Sequence, residues 1–224
     1  MTTRHLLLGH VLQFSGNPFI GAWDSAVHIL ENSALLIEGT RILAVGEAAR
    51  TAAGPDAQIH DHTGRLITPG FVDAHAHYPQ TAMIASWGKR LIDWLNTYTF
   101  PEEIRLGDPA YANAIANRYL DLVLDHGTTS VASFCTFQPG SVEALFEAAQ
   151  QRGMARVAGK TCMERNAPDA LRDTAQSAYD DSKALLTRWH GVDRAVYAIT
   201  PRFSPTSTPD QLNALGALWA EYPD

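Results

Sequence analysis

From Leu66 onward the chain repeats one pattern four times: an apolar run of strand length, then a stretch with helical spacing. The apolar runs are LITPGFVDAHAH, TTSVASFC (128–135), RVAGKTCM and RAVYAITPRFSP. Between and after them lie a long, partly helical excursion from Met83 to Asp125, then SVEALFEAAQQRGM, TAQSAYDDSKALLTRWHG and a last helix beginning near Thr208-Pro209-Asp210. Apolar strands that alternate with helices form a parallel sheet, because each crossover must bring the chain back to the same end. Polar chemistry placed at the strand ends makes this an α/β fold of the (β/α)8 TIM-like barrel type. No Gly-rich phosphate loop follows the first strand, which argues against the alternative of a complete, open doubly wound sheet. A full barrel takes about 250 residues, and the sequence stops at Asp224 where a fifth strand is due. The expectation is therefore the first half of a barrel over residues 66–224, four βα units that are apparently truncated. Ser141 is the expected N-cap of the second helix and Gly153 its exit, while Thr208 caps the last helix with Pro209 in its first turn.

Residues 1–65 read differently. Short strand-forming runs are separated by turn formers, and Glu38-Gly39-Thr40-Arg41 between ALLI and ILAVG reads as a hairpin connection. This portion is expected to be a small antiparallel β unit, part of a β-sandwich domain. Gly54-Pro55-Asp56 and the polar stretch to Gly64 read as a connecting loop.

Within the first strand of the repeat, His75 and His77 lie one residue apart at the end of LITPGFV. Side chains two apart on a strand share a face, so both imidazoles can converge on one point beyond its end. A metal ion wants that arrangement, although two strand histidines can equally hydrogen-bond within a polar pocket. Asp73 shares the face and is placed to orient one imidazole through its second ring nitrogen. His5, His10, His28, His60, His62, His126 and His190 are scattered and receive no metal role.

Seventeen basic against twenty-four acidic residues give a net charge of −7, which argues against nucleic acid or an anionic membrane as partner. No apolar run reaches membrane-spanning length, and the N-terminus lacks a secretory signal pattern. Cys135 and Cys162 form no close Cys-x-x-Cys pair and sit in apolar runs, so buried, reduced thiols are expected and a cytoplasmic location fits.

PGFVDAHAHYPQ after a small β unit resembles the opening metal motif of the amidohydrolase superfamily. IDWLNTYTFPEE (92–103), HGTTSVASF (126–134) and TPRFSP (200–205) narrow the resemblance to the guanine deaminases. It runs from about Leu66 to the end and more loosely through the first 65 residues. The resemblance implies zinc-dependent hydrolytic deamination of guanine to xanthine and ammonia, part of purine catabolism. His75 and His77 would be two zinc ligands. Gln80 would hydrogen-bond the purine, Arg202 would meet its carbonyl edge, and Phe203 would lie on its ring face. Those residue types suit the roles: a guanidinium offers several donors and stays charged, and a phenyl ring stacks on a heterocycle. Outside the resemblance Gln80 reads as a loop amide, Arg202 as an ion-pair residue and Phe203 as core. Trp94, Tyr98 and Phe100 read as packing under or beside the pocket.

The resemblance also implies further zinc ligands and a catalytic glutamate beyond Asp224, and a homodimer for the full-length form. The 224 residues alone are accordingly expected to bind zinc weakly and to leave guanine unconverted. The other readings are a deaminase or chlorohydrolase of another heterocycle, and a truncated, non-catalytic binding protein.

Overall fold

Alternating apolar residues in the N-terminal third build one sheet from β1 (Arg4–Phe14), β2 (Val27–Glu38), β3 (Arg41–Val45) and β4 (Gln58–Ile67), with short helices α1 (Trp23–Ala26) and α2 (Glu47–Ala52) between strands. The computed structural model describes residues 2–20, 23–88 and 90–223. Asp224, the expected end of the barrel segment, lies outside them. The chain divides into two units, Met1–Pro69 and Gly70–Asp224.

The first unit has strand order β3-β2-β1-β4. Glu38 pairs with Arg41 across the two-residue turn Gly39-Thr40, and Gly39 takes φ 57°, a left-handed conformation that favours glycine. On one face α2 sets Ala49 and Ala53 against Leu6, Ala34 and Leu36. The unit is not wholly antiparallel, since β4 runs parallel to β1, with Leu6 opposite Ile59. The polar stretch to Gly64 is therefore strand and not a connecting loop. Nearly every residue of β4 is exposed, so it shows no apolar alternation to announce it. The first strand of the repeat, expected to be interrupted at Pro69-Gly70, is two strands there, the end of β4 and β5, in different units. Pro69 has no N–H for a ladder, and a Cβ at Gly70 would lie 2.1 Å from Thr129 Oγ1.

In the second unit β5 (Phe71–His77) leads through a 3-10 turn (Tyr78–Met83) into α3 (Leu91–Trp94), a π-helical turn (Leu95–Thr99), α4 (Phe100–Arg105) and α5 (Pro109–Asp125). There follow β6 (Thr128–Phe134), α6 (Pro139–Gln151), β7 (Ala155–Gly159), β8 (Thr161–Cys162), α7 (Ala175–Trp189), β9 (Ala195–Tyr197), β10 (Thr200–Pro201) and α8 (Pro209–Glu221). The main sheet is parallel in the order β5-β6-β7-β9, and β8 pairs in parallel with β10. Its core lies between sheet and helices, where Leu120, Val131, Leu145, Phe146, Ala158 and Trp189 pack together. Cys135 and Cys162 are buried, free thiols.

The helix starts follow side-chain chemistry. Asp108 caps α5 by accepting from the Ala110 N–H, Thr174 and Ser177 cap α7 reciprocally, and Thr208 caps α8 by accepting from the Gln211 N–H. α6 starts earlier than expected, with Gln138 at the cap position and Pro139 in the first turn. Ser141 sits inside that turn, where its Oγ accepts from the Thr136 N–H at 3.0 Å and donates to the Gln138 carbonyl at 2.8 Å.

The third and fourth strands of the repeat are each broken in two. At Gly159 a Cβ would lie 1.8 Å from the Ala198 carbonyl oxygen, so glycine permits the two chains to close here. Beyond it the fully buried Lys160 sends its ammonium to Asp173 at 2.5 Å and Asp181 at 3.5 Å. The paired β8 and β10 then carry the backbone onward, with the Arg202 N–H bonded to the Cys162 carbonyl at 3.1 Å. No described helix is long and apolar enough to cross a membrane.

Candidate active site

His75 and His77 stand at the C-terminal end of β5, an edge strand of the parallel sheet. The pairing with β6 slips between Asp73 and Ala76, so β5 carries one extra residue there. Such a bulge bends a strand and re-aims its side chains. The two imidazole rings end up 5.3 Å apart and nearly perpendicular, at 77°. His77 lies flat on Phe134 at the end of β6, with ring centroids 4.8 Å apart, and His75 meets the same ring edge-on at 5.8 Å.

Burial holds the His77 pKa down at about 4, with the Arg202 and His75 charges adding to the effect. A neutral imidazole is the form that ligates metal. The pair therefore fits two corners of a metal site. Among the described residues no group of three His, Cys, Asp or Glu side chains could hold a metal ion.

Asp73 does something other than the expected orienting of an imidazole. Its Oδ1 accepts from the His75 backbone N–H at 3.1 Å, a local turn bond that shapes the bulge.

A cavity of about 320 Å³ opens beside the histidines, lined by His75, His77, Gln80, Arg202, Phe203 and, from the helical excursion, Trp94 with its neighbours. Gln80 comes from the 3-10 turn that directly follows β5, and Arg202 and Phe203 follow β10. Five of the six residues expected at the site from sequence line this one cavity, and Asp73 does not. Phe203 is 39 % exposed, a ring facing open space. Trp94 lies on this wall, while Phe100 packs beneath with Leu95, Met163 and Leu171.

Two residues of the site were not singled out from sequence. Phe134, at the end of HGTTSVASF, is the aromatic platform under His77. Glu103, at the end of IDWLNTYTFPEE, forms a two-pronged ion pair with Arg202: Nη1 donates to Oε2 at 2.6 Å and Nη2 to Oε1 at 2.9 Å. The side chains of Arg202 and Glu103 are 6 % and 1 % exposed. Burial pushes the Glu103 carboxyl upward, opposed by Arg202 and by a weaker hydrogen bond from Gln80.

Parallel strands with a histidine pair at their C-terminal ends, next to a cationic and aromatic wall, define a hydrolase barrel site. Residues 66–223 match the Amidohydrolase family, and the chain belongs to it. Its second unit is the first half of a (β/α)8 barrel of that type, preceded by part of a small β-sandwich domain. Members of the family are generally metal-dependent. The guanine deaminase of Escherichia coli (strain K12) is 46 % identical over 202 residues, covering 89 % of this chain and 46 % of that protein. The solved E. coli guanine deaminase superposes with a TM-score of 0.92 at 42 % identity, over 98 % of this chain and 52 % of that one. A guanine deaminase from C. acetobutylicum with guanine bound in its active site gives a TM-score of 0.83 at 26 % identity, over 99 % and 51 %. The chain spans about half the length of these relatives.

Proposed function

We propose that this chain supplies the purine-binding wall and two zinc-binding imidazoles of a guanine deaminase, which converts guanine to xanthine and ammonia in purine catabolism. The observation that carries this reading is the convergence of His75, His77, Gln80, Arg202 and Phe203 on one cavity of about 320 Å³, within the usual range for small-molecule sites. Residues 1–65 serve as the small supporting β domain, and residues 66–224 carry the chemistry.

His75 and His77 would hold the zinc, which when bound would supply the Lewis acidity that makes water a nucleophile near neutral pH. Arg202 donates to the purine carbonyl oxygen, Gln80 bonds the ring, and Phe203 covers its face. Together they set the amino-bearing carbon toward the histidines, so that orientation contributes much of the rate. Asp73 supports the His75 backbone. Addition of water and departure of ammonia require proton transfers, and the described cavity wall holds no carboxylate to perform them. The 224 residues alone are therefore expected to bind zinc weakly and not to turn over guanine. A cytoplasmic setting agrees with the two buried free thiols. A homodimeric full-length form is part of the same reading, on the strength of the resemblance.

Xanthine formation from guanine by the zinc-loaded protein that carries this chain is the test. Arg202→Ala removes a charge-assisted hydrogen bond worth about 1.5–3 kcal/mol, so kcat/KM should fall about tenfold or more. Unchanged kinetics would remove Arg202 from the substrate site, and a wild-type protein inert toward guanine would sink the reading as a whole.

A further inference from the structure

Arg202 and Glu103 are 99 positions apart in sequence, yet their side chains meet in two parallel hydrogen bonds and are almost wholly buried. The guanidinium is boxed in on other sides as well, 5.5 Å from the centre of the Phe100 ring and with Nη1 3.8 Å from Met163 Sδ. A fork bonded to a carboxylate in this way has its plane and rotation set. We propose that Glu103 is the positioning residue of the purine site, fixing the donor edge of Arg202 so that the cavity selects an oxo-purine edge. This rests on the functional reading above and deepens it.

The argument follows from donor and acceptor inventories. An ionised carboxylate only accepts, and a guanidinium only donates. Two of the five Arg202 N–H groups go to Glu103 and a third meets Met163 Sδ, which leaves the others for a ligand acceptor. Arg202 lines the cavity, so its wall offers donors to a ligand. A purine carbonyl oxygen accepts from such an edge. An amino group in the same place, as in a 6-aminopurine, sets donor against donor. A glutamine at position 103 would keep the shape but present one acceptor instead of two.

Two readouts test the proposal and separate it from the reading it rests on. In the zinc-loaded, guanine-free protein, the guanidinium 15N signals that Arg202→Lys removes should be split by slow rotation, and Glu103→Gln should collapse the splitting. In steady-state kinetics Glu103→Gln should raise the KM for guanine about tenfold or more, with kcat changed less than threefold. It should also narrow the preference for guanine over adenine in competition. Wild-type KM in Glu103→Gln, or a freely rotating Arg202 in the wild-type protein, would overturn the proposal. A kcat loss with unchanged KM and a lowered melting temperature would show a purely structural role and likewise overturn it. Should Glu103→Gln not fold, Glu103→Asp keeps the charge one methylene shorter and should raise KM at least threefold; an unchanged KM there would refute the positioning role. A held Arg202 in a protein that ignores guanine would uphold the positioning and refute guanine as the substrate.

Discussion

His77 shows how much of the site's chemistry rests on a single side chain. It is half-buried, lies flat on Phe134, and faces Arg202, and together these keep the imidazole neutral with a pKa of about 4. An unfolded histidine titrates near 6.5, so between these values the unfolded chain binds more protons than the folded one. Stability contributed by the neutral ring is thus present in full above about pH 6.5 and is lost as pH falls toward 4. In the metal-free protein, urea unfolding at pH 7 and pH 5 should differ by on the order of 1 kcal/mol more in wild type than in His77→Asn. Equal pH dependence in the two would show that position 77 titrates normally. The histidine spacing was legible in the sequence because two residues on one strand need no partner to define their face. The Phe134 platform was not legible, since it depends on which neighbour β5 pairs with and where that pairing slips.

Among the elements, the broken third and fourth strands matter most to the site. Had β7 and β9 continued regularly, the segment carrying Arg202 and Phe203 would leave the sheet elsewhere. The close approach at Gly159 and the inward turn of Lys160 toward Asp173 hold the break. Gly159→Ala places a Cβ against the Ala198 carbonyl oxygen, which is backbone and cannot swing aside. Overpacking of this kind costs about 1–3 kcal/mol, read as a lowered urea midpoint at unchanged slope; wild-type stability would mean that the strands have room to separate. The third run reads in sequence as a single apolar strand, because neither Lys160 nor Gly159 disturbs the local pattern enough to mark a break. The cap at Thr208 is the opposite case. A hydroxyl that bonds an N–H three residues on is a local event, and it is visible in the order of residues alone.

At the scale of each whole unit, the parallel sheet has one face under its helices and one without such cover. Across that second face Ala132, Val157 and Val196 lie in one row, and Val72 lies in the next. Val72, Val157 and Val196 are 71 %, 39 % and 44 % exposed. An exposed apolar sheet face beside unpaired strand edges promotes association. The 224-residue polypeptide should therefore sediment faster as its concentration rises, and Val157→Lys should weaken that dependence. A concentration-independent sedimentation coefficient in the wild-type polypeptide would show that the face is not adhesive.

By itself the sequence determined the four-fold strand-to-helix repeat, the start of the last helix and the histidine pair, because each of these depends on periodicity or spacing within a few residues. It left β4 hidden, since a strand exposed along most of its length has no apolar face to announce. Only the tertiary structure decided that β4 lies parallel to β1, and that the recognition segment ending at Glu103 meets Arg202. Both are encounters between distant segments whose partners are chosen by how the sheet and its helices pack. The same packing sets Arg202 against a buried carboxylate, and that encounter holds the donors the cavity offers.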